Sequence, residues 1–229
     1  MAERPLAVVL ASGGMDSCVL VAMAARKHRL AMLHATYGQR TAGREQRAFA
    51  AIADAYHVPP DRRLVVRLDH LAAVGGSCLT DRAMPVPEGE PRGQGVPASY
   101  VPFRNANLLA IATSWAEVLG ARTIFFGAME EDSSGYPDCT EAFVQAFNRL
   151  VAVGTRPATT VAVAAPLLHL TKAQVVRQGL GLGAPFHLTW SCYRDEEAAC
   201  GRCESCRLRR RGFREAGAED PIPYAAEPG

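Results

Sequence analysis

Leu10-Ala11-Ser12-Gly13-Gly14-Met15-Asp16-Ser17 is a short turn set between two apolar runs. Upstream, Leu6 to Leu10 (LAVVL) is continuously apolar, as a parallel strand buried on both faces requires. Downstream, Cys18 to Ala25 (CVLVAMAA) reads as a helix packed on that strand. The turn therefore falls at a strand's carboxyl end, where open α/β sheets hold their ligands. Adjacent glycines let backbone N–H groups approach an anion that any Cβ would hold off, Ser12 and Ser17 add hydroxyls, and the helix N-terminus adds its positive dipole end. These are the parts of a phosphate cradle. The turn lacks the Gly-Lys-Ser/Thr ending of a Walker loop and the three-glycine spacing of a dinucleotide fold, which argues against hydrolytic NTPase and NAD-binding readings. Asp16 suits either Mg²⁺ or the helix start.

The rest of the chain alternates between strand and helix signals. Leu30 to Tyr37 reads as a second strand, and Thr41 to His57 as a helix presenting Ala48, Phe49, Ile52, Ala53 and Tyr56, closed by Pro59 and Pro60. Arg63 to Leu68 is a short third strand. Met84 to Ser99 is dense in Pro and Gly with almost nothing to bury, so it reads as a loop, either a lid or a linker. Asn105 to Leu119 carries Leu108, Leu109, Ala112, Trp115 and Leu119 at helical spacing before Gly120. Thr123 to Gly127 and Thr160 to Ala164 are strand-like. Cys139 to Val153 is expected as a helix with Phe143, Phe147 and Leu150 inward, and Thr171 with Gln174 forms a capping box. This alternation predicts an α/β fold, doubly wound around a mainly parallel five-stranded sheet.

With 229 residues, 48% of them hydrophobic and 21% charged, the chain suits one buried core plus a small appendage: expected boundaries are 1–188 and 189–229. A net charge of +2 gives no global attraction for nucleic acid. No run approaches the roughly 20 apolar residues of a membrane span, and no apolar leader precedes the first strand, so a cytoplasmic location with no membrane partner is expected. The six histidines show no metal-ligand spacing, and Cys18 and Cys78 read as packed thiols.

Four of the seven cysteines crowd together as Cys192, Cys200, Cys203 and Cys206, a Cys-x7-Cys-x2-Cys-x2-Cys pattern suited to metal in a reducing compartment. Four soft ligands favour a closed, structural, tetrahedral Zn²⁺, whose binding typically contributes ~10–16 kcal/mol to organising such a segment. An iron–sulfur cluster is the alternative, although no fourth Cys-Pro follows here. Arg207, Arg209, Arg210, Arg211 and Arg214 read as a solvated helix face, or as a contact to phosphates or nucleic acid.

Ser12-Gly-Gly-Met-Asp-Ser17 resembles the pyrophosphate loop of the N-type ATP pyrophosphatases (PP-loop proteins). Within them, Tyr37-Gly-Gln-Arg40, Val101-Pro-Phe-Arg-Asn105, Asp132-Ser-Ser-Gly-Tyr-Pro-Asp-Cys139, His169-Leu-Thr-Lys172, Thr189-Trp-Ser-Cys-Tyr193 and the cysteine cluster resemble, in order and spacing, the 7-cyano-7-deazaguanine synthase (QueC) family. The resemblance covers nearly the whole chain. It implies an adenine nucleotide alpha hydrolase-like (HUP-type) fold and a carbon–nitrogen ligase that uses ATP with Mg²⁺, releasing pyrophosphate. In that reaction the carboxylate of 7-carboxy-7-deazaguanine is adenylated, ammonia makes the amide, and a second ATP drives dehydration to the nitrile.

ATP contacts are implied for Leu10, Ala11, Ser12, Gly13, Gly14, Met15, Asp16, Ser17, Cys18, Val19 and Leu20. Catalytic roles are implied for Asp16 and Ser17 at the phosphates and for Lys172 and Arg104 against the transferring adenylyl group. Tyr37, Arg104, Asn105, Asp132, Tyr136 and Asp138 are expected to line the deazapurine pocket, and Cys139 to be a packed thiol at the next helix. A homodimer is implied as well. The family usually has His where this chain has Thr41 and Arg where it has Thr140, and the segment Ala128-Met-Glu-Glu131 also differs. The acceptor is therefore ammonia or, as in QueC-like paralogues of bacterial defence systems that stop at the amide, a protein amine.

Overall fold

The computed structural model describes residues 3–88, 95–130 and 135–225. Five strands, β1 (Leu6–Leu10), β2 (Arg29–Thr36), β3 (Arg63–Arg67), β4 (Thr123–Phe125) and β5 (Ala162–Ala164), pair in parallel in the order β3-β2-β1-β4-β5. Helices α1 (Met15–Ala25), α2 (Ala42–Ala55), α3 (Asp69–Val74), α4 (Arg104–Leu119), α5 (Glu141–Gly154), α6 (Lys172–Leu182) and α7 (Glu204–Ala216) accompany them. β1 is buried throughout because both of its faces are covered. Its Val9 joins a core with α1, α2 and α6, while Leu6, Val8 and Leu10 join a second core with α4 and α5. This is the doubly wound α/β sheet expected from the alternation of strands and helices. None of the described helices is long and apolar enough to cross a membrane.

The strand order locates the site. From β1 the chain winds outward through β2 to β3, then returns to β4 on the other side of β1. At that reversal the two connections leave the sheet in opposite directions and open a crevice beyond the carboxyl ends of β1 and β4. The phosphate turn occupies this crevice. Gly13 has a φ of +87°, and a Cβ there would stand 2.5 Å from the Glu45 carbonyl oxygen, so only glycine fits.

Several expectations need correction. In α5, Leu150 is 57% exposed, and the inward face is Val144, Phe147 and Val151, with Phe143 half-buried. The Thr140 hydroxyl accepts from Phe143 N and starts the helix at Glu141, and packing against the β4–β5 side of the core selects Val144, Phe147 and Val151 as the buried face. Residues 89–94 lie outside the described residues, but the flanks of the Met84–Ser99 stretch do bury side chains: Val86 joins a core and Ser99 is buried, while the exposed Glu88 pairs its backbone with Cys203 in an isolated β-bridge. In the arginine run, Arg209 is 1% exposed, because it shares the inward face of α7 with Cys206 and Phe213. It donates to both oxygens of Asp220 at 2.8 Å and to Thr189 Oγ1 at 2.6 Å, and a solvated face describes only its neighbours Arg207, Arg210 and Arg214.

Candidate active site

The phosphate turn is held open by its own side chains. Ser12 Oγ accepts from Gly14 N at 3.1 Å and Ser17 Oγ donates to the Gly14 carbonyl at 2.9 Å, which leaves α1 to present its first N–H groups to the crevice. Met15, already helical, begins α1 three residues earlier than the apolar run alone suggests. From the far end of the chain, Trp190 N donates to the Gly13 carbonyl at 2.9 Å and buttresses the turn.

Lys172 completes this wall. The capping box of Thr171 and Gln174 starts α6 at Lys172, and the side chain runs over Gly212 of α7, where a Cβ would lie 2.4 Å from Lys172 Cγ. Its ammonium reaches both Asp16 oxygens, at 3.0 and 3.1 Å, and Met129 Sδ at 3.3 Å. The pair brings a cation and a hard carboxylate to the mouth of the anion cradle. A carboxylate and an ammonium placed there are the kinds of group that suit a divalent cation and phosphate oxygens.

Across a cleft of ≈ 280 Å³ stands a second wall. Phe103 adopts a left-handed conformation (φ 56°), unusual for an aromatic residue, and its N–H donates to the Tyr100 hydroxyl. This turn starts α4 with Arg104 and Asn105 at the cleft. Arg104 lies over the Tyr37 ring and donates to its hydroxyl at 3.0 Å. Asn105 donates through Nδ2 to the Asp138 carbonyl and to Cys139 Sγ, both at 3.2 Å, and through its backbone to Asp138 Oδ2 at 3.0 Å. Tyr37, Arg104, Asn105, Tyr136 and Cys139 all line the cleft together with Ser12, Asp16 and Ser17. Asp138 does not line it. It is 3% exposed beneath Asn105, with Oδ1 lacking a hydrogen-bond partner among the described residues, and burial raises its carboxyl above the usual range. Asp132 lies outside the described residues. Cys18, Val19 and Leu20 are fully buried in α1 and can serve a nucleotide only by supporting the turn.

The four cluster cysteines are buried with their sulfurs all within 4.8 Å of one another. Tetrahedral Zn²⁺ with bonds of ~2.3 Å sets ligand sulfurs about 3.8 Å apart, so the arrangement fits such an ion with little adjustment. Backbone N–H groups of Arg194, Asp195 and Cys200 point at Cys192 Sγ from 3.4 Å, as they do toward thiolate ligands. No cluster cysteine lines the cleft, which suits a supporting role. A separate cavity of ≈ 550 Å³, lined by Cys200 with Asp195, Arg210 and Tyr224, contains none of the phosphate-turn residues.

The cluster also delivers residues that sequence reasoning missed. Between Cys192 and Cys206, Tyr193, Glu204 and Ser205 line a recess of ≈ 110 Å³ that adjoins the cleft and also holds Asp16, Lys172 and Tyr136. Ser99 Oγ links Tyr136 Oη at 2.6 Å with Glu204 Oε2 at 3.0 Å. Burial pushes the Tyr136 phenol up to about 12, so it stays protonated. Arg40 crosses to the carbonyls of Cys78, Asp81 and Met84 at 2.6–3.0 Å and so ties the 78–84 turns to the cleft. Thr41 is buried, its hydroxyl 2.9 Å from Glu45 Oε1 and 3.1 Å from the Cys192 carbonyl. The cysteine spacing is conspicuous in the sequence, and the residues between the four thiols are not.

A doubly wound parallel sheet with a pyrophosphate turn after its first strand defines a PP-loop protein. A family model described as "Queuosine biosynthesis protein QueC" matches residues 6–217. The 7-cyano-7-deazaguanine synthase of Chlorobium phaeobacteroides is 53% identical over 223 residues, spanning 97% of this chain and 98% of its own. Proteins of the same name from Chloroherpeton thalassium (52% identical, 97% of this chain and 98% of the relative) and Koribacter versatilis (53%, 96% and 93%) are similarly alike. The chain belongs to the QueC family.

Proposed function

We propose that this protein converts 7-carboxy-7-deazaguanine and ammonia into 7-cyano-7-deazaguanine at the expense of two ATP molecules, each cleaved to AMP and pyrophosphate. One juxtaposition supports this reading: the phosphate turn and the Arg104–Asn105–Tyr136 wall share one cleft, so an ATP seated on the turn faces a second, polar site for the acid. A carboxylate oxygen is a poor leaving group and AMP a good one. The task of the site is therefore to align that oxygen with the α-phosphorus and to neutralise the departing pyrophosphate.

In this scheme Ser12, Gly13, Gly14 and Ser17 bind the β- and γ-phosphates. Asp16 would hold Mg²⁺, which when bound supplies positive charge against the polyphosphate. Lys172 leaves Asp16 for the phosphates as the nucleotide enters, and Arg104 faces the acyl-phosphate linkage. Ammonia displaces AMP from the acyl-adenylate. The amide oxygen then attacks a second ATP at the same place, and loss of AMP with two protons from nitrogen gives the nitrile. The Cys192, Cys200, Cys203 and Cys206 thiolates would hold Zn²⁺, which fixes the loop that carries Tyr193 and Glu204.

Incubation with 7-carboxy-7-deazaguanine, ATP, Mg²⁺ and ammonium tests the scheme by mass spectrometry. The expected result is the nitrile, with transient amide and two AMP per nitrile. Amide as the only product points to a chain that stops at the amide, and the absence of both refutes the scheme.

A further inference from the structure

Four carboxylates approach the cleft and its recess, and three of them are already engaged. Asp16 gives both oxygens to Lys172, and Glu45 gives one to Gln39 and one to Thr41. Asp138 lies under Asn105, off the lining of either cavity. Glu204 differs. It is 8% exposed, lines the recess, and accepts one hydrogen bond, from Ser99 on Oε2, while Oε1 has no partner among the described residues. Each carboxylate oxygen has two lone pairs, so Glu204 retains one acceptor site on Oε2 and both on Oε1.

A carboxylate held in this way matches a flat ligand that carries two adjacent donors on one edge. Tyr136 and Tyr193 line both the cleft and the recess beside it, so aromatic side chains border the space such a ligand would fill. The cationic neighbours in the recess, Lys172 and Arg209, are paired with Asp16 and Asp220, which leaves Glu204 to set the polarity of its own corner.

We propose that Glu204 is a specificity-determining residue that reads the N–H and exocyclic amino group of a 2-aminopyrimidin-4-one edge, selecting a guanine-type base. This rests on the proposed function for the identity of the base. Ser99 would fix the rotation of the carboxylate, and Tyr136, bonded to the same hydroxyl, would register the plane of the ring.

The test compares 7-carboxy-7-deazaguanine with its analogue bearing hydrogen in place of the 2-amino group, by ATP–pyrophosphate exchange on the full metal-bound chain. A site built to hydrogen-bond an amine rejects the analogue that lacks it, so the parent should prefer the amino compound by roughly 100-fold in kcat/KM. Glu204→Gln should reduce that preference to below about 5-fold, chiefly through KM for the amino compound, with metal content and thermal midpoint retained. A parent without preference, or a Glu204→Gln chain that keeps the parent's preference, overturns the proposal. Should Glu204→Gln lose metal, Ser99→Ala leaves the cysteine segment untouched. It should cut the preference by about 10-fold, and an unchanged preference overturns the proposal as well. Exchange with neither compound in the parent refutes the proposed function instead. Calorimetric binding of 7-deazaguanine against 7-deazahypoxanthine then decides the role of Glu204 on its own: preferential binding of the former, abolished in Glu204→Gln, supports it, and equal binding overturns it.

Discussion

The two walls of the cleft are built in opposite ways. The body of the phosphate wall comes from consecutive residues, Ser12 to Ser17, at the end of one strand and the start of one helix, with Lys172 reaching in from α6 and Trp190 bracing it from behind. The opposite wall and its recess gather Tyr37, Arg104, Asn105, Tyr136, Tyr193 and Glu204 from five separate places in the chain. A largely local wall takes most of its shape from a β-strand, a permissive glycine and a helix N-terminus. An assembled wall depends on every anchor that brings its pieces together, so the same perturbation should damage the two walls unequally.

Loss of the metal is expected to have the largest effect. Chelation, or Cys206→Ser, removes a contribution of order 10 kcal/mol to the order of the 192–206 loop and should abolish nitrile formation. If the contrast holds, ATP binding, followed by fluorescent-nucleotide titration, weakens far less. Equal loss of both would show that the phosphate wall depends on the cluster too.

Arg209→Met comes next. It strands the buried Asp220 carboxylate and should cost about 3–5 kcal/mol in urea unfolding, while Arg209→Met combined with Asp220→Asn recovers part of the loss. Lys172→Met acts on the phosphate wall alone. ATP–pyrophosphate exchange should fall about 100- to 1,000-fold, the usual consequence of deleting one preorganised charge partner, with little change in unfolding midpoint. Thr140→Ala removes the cap of α5 and should cost about 1 kcal/mol, read in thermal unfolding.

The smallest effect is a pH dependence beneath the phosphate turn. His34 is buried against Phe49, its Nδ1 3.0 Å from the Ala11 carbonyl and its Nε2 without a partner among the described residues. Burial lowers its folded pKa below the ordinary 6.5, so its stabilising share is complete above pH 6.5 and is lost as pH falls through the folded value. Urea midpoints measured from pH 8 to pH 5 should fall more steeply for the parent than for His34→Asn, which keeps a donor but does not titrate. Parallel slopes would assign the pH dependence to other groups.

The same contrast explains what the sequence reveals. Strand β1 is legible because burial on both faces demands an unbroken apolar run, β2 and β4 because their runs are mostly apolar, and the phosphate turn because its geometry demands adjacent glycines. Arg104, Asn105 and Tyr136 stand out by resemblance to the family's segments, and they do meet at one cleft. Glu204 does not stand out, since nothing in Cys203-Glu204-Ser205-Cys206 distinguishes a carboxylate facing the recess from one facing water. Arg209 is hidden for the opposite reason: four neighbouring arginines disguise a buried ion pair as a charged surface, and only the spacing of Cys206, Arg209 and Phe213 on α7 hints at an inward face. Leu150 fails because Phe143, Phe147 and Leu150 satisfy helical periodicity as well as Val144, Phe147 and Val151 do. The cap at Thr140 and the packing against the sheet choose between them.

The hydrogen bond from Trp190 to Gly13 has a consequence for how the molecule comes into being. During synthesis the turn at Gly13 precedes its buttress, Trp190, by 177 positions. A growing chain thus carries the Gly13 turn for a long stretch of synthesis before the residue that braces it exists, so this turn is completed by a distant contact and not by local folding alone.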